Sequence, residues 1–102
     1  MLVIAGSIQI DVTMRNELIE TAIEVVRELR KQVGCTQVSL SADLEDPGIL
    51  YLFQTWESQA ALTASMVSSP YLDDAIGQYA GKLGVRELSL LKYDVASQSR
   101  VA

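Results

Sequence analysis

GILYLFQTWESQAALTASMVSSPYL, residues 48–72, is the stretch whose reading decides the fold. From Ile49 to Glu57 the pattern has a period of two, which is a strand. Ile49, Tyr51 and Phe53 point one way; Leu50, Leu52 and Trp56 point the other. Both sets are apolar, so both faces of this strand need cover. Gln54 shares a face with Leu50, Leu52 and Trp56, and a glutamine among apolar neighbours requires a hydrogen-bond partner. Ser58 caps a short helix, Gln59 to Val67. Ser69-Pro70 then carries the N-cap and N1 chemistry of another helical start.

The rest of the chain arranges itself around that strand. Asp46-Pro47-Gly48 is a turn, because proline sets φ and glycine admits positive φ. It joins the strand in a hairpin to Thr36–Glu45, where Val38, Leu40, Ala42 and Leu44 alternate with Gln37, Ser39, Ser41 and Asp43. Further upstream, Thr13 is the expected N-cap of a helix running to about Val33. Its apolar stripe is Leu18, Ala22, Val25, Val26, Leu29 and Val33, and Gly34 stops it. Leu2 to Ile10 alternates as a first strand, with Leu2, Ile4, Ile8 and Ile10 on one face. Downstream, Asp73 and Asp74 suit the positive end of the second helical segment. Lys82-Leu83-Gly84 ends it, and Val85 to Asp94 is the last strand.

The order β-α-β-β-α-β, with the second helix broken, is the ferredoxin-like α+β topology. It predicts a four-stranded antiparallel sheet with the helices on one face. Residues 1–95 form one domain and 96–102 a polar, frayed tail. Helices cover only one face of such a sheet. The apolar second face of the third strand therefore predicts a homodimer packed sheet to sheet, since monomers avoid large bare apolar patches.

Composition narrows the function. The 102 residues include 13 acidic and 8 basic side chains, for a net charge of −5. No Lys/Arg cluster is present to engage phosphates, so no nucleic-acid partner is expected. The basic residues between Arg27 and Lys31 suit a helix C-terminus. The apolar start MLVIAGSIQI has no basic n-region, and no run reaches the roughly 20 apolar residues of a membrane span. A cytoplasmic protein with no membrane partner is the expectation. Cys35 is alone, so there is no internal disulfide; it is either a small buried filler or a reactive thiol. The chain contains no histidine, which excludes Ser–His and Cys–His catalysis and removes the usual neutral-pH base. No zinc spacing, phosphate loop or nucleophile elbow appears, so no metal is expected.

Several short motifs, in order and spacing, resemble the antibiotic biosynthesis monooxygenase family. They are Gly34-Cys35, Asp43-Leu44-Glu45-Asp46-Pro47, Trp56-Glu57-Ser58, Ala61-Leu62 and Ser69-Pro70. The resemblance spans Leu2 to Asp94. It implies a ferredoxin-like fold that dimerises into an α+β barrel, and monooxygenation of quinols or phenols without a cofactor. It also marks departures. The family often has Glu where this chain has Gln54, and His where it has Ser65 and Tyr71. No catalytic acid or base carries over from those positions, and haem ligation by histidine is excluded.

The resemblance makes Trp56, Gln54, Tyr71 and Ser65 the substrate-binding candidates. Trp56 is either an aromatic wall of a ligand cavity or core. Gln54 either orients a ligand oxygen or bonds backbone. Ser65 either faces the cavity or packs. Tyr71 either offers its phenol to a ligand or caps the second helix against the sheet. Ser7 aligns loosely with a polar first-strand position of haem-degrading relatives. Asp73 and Asp74 read as helix-capping acids rather than a catalytic pair. Two functions stand: a cofactor-independent monooxygenase acting on a small aromatic substrate, or a non-catalytic dimeric ligand-binding or interaction module without the family's His/Glu site.

Overall fold

A computed structural model describes residues 1–68 and 82–102. Strand β1 spans Leu2–Ile10 and leads through a 3-10 turn, Val12–Met14, into helix α1, Arg15–Arg30. Strands β2 (Cys35–Ala42) and β3 (Ile49–Trp56) form the hairpin, followed by helix α2 (Gln59–Ser68) and strand β4 (Val85–Asp94). All pairings are antiparallel, in the order β2-β3-β1-β4. This is the ferredoxin-like α+β architecture that the element order predicts.

Register explains the alternation. Leu2, Ile4 and Ile8 of β1 stand opposite Trp56, Gln54 and Leu50 of β3. Val38 of β2 stands opposite Gln54. These positions face the helices, and the core there is Leu2, Leu29, Val38 and Trp56, with Ile4, Val25, Val26, Leu52, Ala61 and Leu62 packed against it. The other face carries Tyr51, Phe53, Leu91 and Tyr93, each between a third and two-thirds exposed. The third strand is thus apolar on both sides, and one side is open in the single chain.

Of the boundaries that differ from the sequence expectation, four have a local reason. Asp11, not Thr13, caps the first helical turn. Its Oδ1 accepts from the Thr13 N–H at 3.0 Å and from Thr13 Oγ1 at 2.7 Å. The chain enters by a 3-10 turn, so the cap lies two residues earlier. Helix α1 ends at Arg30, where the Lys31 N–H turns back to the carbonyls of Glu28 and Leu29. Val33 therefore leaves the apolar stripe and is 90% exposed. Strand β2 stops at Ala42, because the Asp43 carboxylate takes the N–H groups of Glu45 and Asp46 at 3.1 and 2.8 Å. That Asx turn throws Leu44 fully into solvent. Finally, β3 ends at Trp56, and Ser58 caps α2 by accepting from Ala61 N at 3.1 Å.

Residues 96–102 are exposed and without regular structure. The Ser69-Pro70 restart and the expected caps Asp73 and Asp74 lie outside the described residues. No described helix is long and apolar enough to cross a membrane.

Candidate functional site

Three of the short motifs, Gly34-Cys35, Trp56-Glu57-Ser58 and Ala61-Leu62, converge on one place. Gly34 sits at φ +85°, and a Cβ there would lie 2.5 Å from Ala61 Cβ. Its carbonyl accepts from the Glu57 N–H at 2.8 Å. Cys35 pairs across the ladder with Trp56. The end of α1, the start of β2, the end of β3 and the first turn of α2 therefore meet around the indole, which has no exposed surface.

Trp56 and Gln54 are coupled. The indole Nε1–H donates to Gln54 Oε1 at 3.0 Å, inside the core. An indole nitrogen can only donate, so this bond fixes the orientation of the amide. Gln54 is 7% exposed, and its NH2 group hydrogen-bonds no described residue. The single buried side-chain nitrogen or oxygen without a partner among the described residues is Arg15 Nε, so the Gln54 NH2 is not fully sealed. The residue standing at the family's glutamate position offers donors only, and it abstracts no proton.

Ser65 is buried on α2, one turn beyond Ala61 and Leu62. Its Oγ donates to Gln32 Oε1 at 3.0 Å, and Gln32 Nε2 reaches the Glu28 carbonyl at 3.3 Å. The hydroxyl thus ties α2 to the end of α1. The sequence reading does not single out Gln32: within a helix expected to run to about Val33, it is a polar residue off the apolar stripe. Tyr71 lies outside the described residues. Ser7 is on the opposite face of the sheet from Trp56, paired with Tyr51 and Ser89. Cys35 packs against the core; burial pushes its thiol up, away from the reactive thiolate.

Among the described residues, no three His, Cys, Asp or Glu side chains gather as metal ligands. Described residues line recesses in two places. One lies between α1 and the β2–β3 hairpin, and the other on the open face of the sheet beside Tyr51 and Tyr93. Neither is lined by Trp56, Gln54 or Ser65.

The antibiotic biosynthesis monooxygenase family model matches residues 1–76. The chain belongs to this family. No curated protein sequence matches it significantly. Solved structures share the fold across the whole chain. A candidate antibiotic biosynthesis monooxygenase from Deinococcus radiodurans superposes with a TM-score of 0.89 at 20% identity, covering 100% of this chain and 99% of its own. A Mycobacterium tuberculosis protein gives 0.77 at 23% identity, covering 97% of each chain. A Pseudomonas aeruginosa protein gives 0.74 at 21%, covering 93% of this chain and 94% of its own. At these identities the likeness concerns the fold. Of the motif positions, Gly34-Cys35, Trp56-Glu57-Ser58 and Ala61-Leu62 gather around Trp56, whereas residues 43–47 form the hairpin turn and Ser69-Pro70 lies outside the described residues.

Proposed function

We propose that the chain is a cofactor-independent monooxygenase of the antibiotic biosynthesis type, acting on a small quinol- or phenol-like aromatic. The observation that carries this is the Trp56–Gln54 pair, an indole holding a buried amide with its donors turned away. Such donors suit a phenolate or enolate oxygen. Trp56 backs the site and orients the Gln54 amide, and Ser65 borders it from α2; Tyr71, outside the described residues, is the remaining candidate contact.

The substrate enters already ionised, because Gln54 accepts no proton and the chain has no histidine. The electron-rich anion gives electrons to dioxygen. One oxygen atom ends on the ring carbon as a carbonyl. The other leaves as water, taking the hydrogen that carbon still carried and the proton released on ionisation, so the substrate itself is the reductant. The protein's part is to bury the anion, orient it and hold its oxygen. A second protomer packs across Tyr51, Phe53, Leu91 and Tyr93, covering the open face. The lone thiol of Cys35 suits the cytoplasm.

Oxygen uptake with dihydroxynaphthalenes and anthrone, measured from pH 6 to about 9, tests the reading. The expected result is turnover that rises as the substrate ionises and falls at least tenfold in Gln54→Leu. The same departures that remove a base support a second reading, a non-catalytic ligand-binding module. Binding with no oxygen uptake at any of these pH values would establish it. Light scattering that finds only the 11.1 kDa monomer would overturn the dimer.

A further inference from the structure

We propose that the groove between α1 and the β2–β3 hairpin is a separate binding site for an aliphatic carboxylate. The recess measures about 440 Å³, within the ~300–1,000 Å³ of small-molecule sites. Its walls are Ile19, Ile23 and Val26 from the helix, and Leu40, Ala42 and Leu50 from the sheet. None is aromatic, so the groove has no ring to stack on and suits a saturated chain. Ile23 remains 44% exposed, an apolar helix residue that its own fold leaves uncovered.

The polar edge of the groove is cationic. Arg27 and Arg30 both line it. The described ion pairs use other residues, Lys31 with Glu28 and Arg86 with Asp11. Arg27 makes no hydrogen bond to a described residue. Arg30 is held in place: its Nε and Nη2 both donate to the Val38 carbonyl, at 3.1 and 3.0 Å. A guanidinium has five N–H donors, so the remaining ones stay available on a fixed fork. In a chain of net charge −5, two guanidiniums without carboxylate partners beside an aliphatic groove match one ligand chemistry: an apolar chain ending in a carboxylate. Val26 borders both the groove and the Trp56 core, but Trp56, Gln54 and Ser65 do not line the groove. The site is therefore distinct from the aromatic one and stands independently of the proposed reaction.

Isothermal titration of the full chain with sodium decanoate, below its micelle concentration, tests this. Matched titrations with 1-decanol and 2-naphthoate separate head group from tail. One decanoate per protomer is expected, at least about tenfold tighter than either control. Arg27→Gln and Ile23→Asn are surface changes, and each should weaken decanoate about tenfold while circular dichroism stays unchanged. Amide shifts on binding should concentrate at residues 19–30 and 40–42. Absence of saturable heat, equal affinity for decanol or naphthoate, or parental affinity in both variants would overturn the site. So would an Ile23→Asn protein that changes from dimer to monomer, because the groove would then hold a second copy.

Discussion

At the residue scale, Gly34 is the position with least freedom. A side chain there meets two costs: a backbone at φ +85° and a contact 2.5 Å from Ala61 Cβ. Gly34→Ala should destabilise the chain by roughly 2–4 kcal/mol, read as a shifted urea midpoint with an unchanged slope. Its neighbour behaves differently. The Cys35 thiol is raised by burial, so Cys35→Ser should leave secondary structure and any oxygen uptake intact; loss of turnover alone would assign the thiol a chemical role. Asp43 and Tyr51 set a pH window for the hairpin. Tyr51 OH donates to Asp43 Oδ1 at 2.7 Å. The Asp46 N–H first, then the Tyr51 hydroxyl, hold the Asp43 carboxyl below its ordinary value. The same hydroxyl bond raises the Tyr51 phenol above 10.0. The Asp43 contribution is therefore present above the ordinary carboxylate range and is lost as pH falls through the lowered value. The Tyr51 contribution is present below pH 10 and is lost as pH rises through the raised value. Absorbance titration at 295 nm should show a tyrosine ionising above the ordinary range, and Asp43→Asn should bring it down.

At the element scale, helix starts and strand ends were the part least visible in the chain. Thr13 and Asp11 are both acceptable caps by type. Which one serves depends on the 3-10 turn, and that turn is set where β1 hands over to α1. There the Asp11 N–H bonds the Gly84 carbonyl at 2.7 Å, and Arg86 reaches the Asp11 carboxylate at 3.4 Å. Both partners come from the far end of the sequence. Asp11→Ala should speed amide exchange through the first turn of α1, whereas Thr13→Ala should keep the cap through the Thr13 backbone N–H. The equal response of both variants would remove the distinction. Val33 and Leu44 failed for a related reason. Each continues a hydrophobic period by one step, after the backbone has already turned to satisfy its own N–H groups. By contrast, β4 follows its predicted bounds, Val85–Asp94, because Gly84 at φ +82° and the long alternating run leave no rival end.

At the scale of the whole molecule, one indole joins both helices' elements to the sheet. Trp56 is fully buried within the cluster of Leu2, Leu29 and Val38. Trp56→Ala should cost roughly 3–5 kcal/mol, measured by denaturant unfolding. Trp56→Phe keeps most of the volume but cannot donate to Gln54, so it should weaken phenol binding more than it lowers stability. A Trp56→Phe protein that binds phenols as the parent does, with parental fluorescence insensitive to them, would assign Trp56 to the core alone. The sequence by itself determined the element order, the two-sided third strand and the family, because period, turn chemistry and motif spacing are local or ordered along the chain. It also excluded histidine chemistry. What only the tertiary structure decided is how the site residues are used. Gln54 is a locked donor because Trp56, two residues away on the same face, claims its oxygen. Ser65 reaches Gln32 across 33 positions. Those partnerships depend on distance in space and on which atom is left over after packing, and neither is written in the spacing of residues.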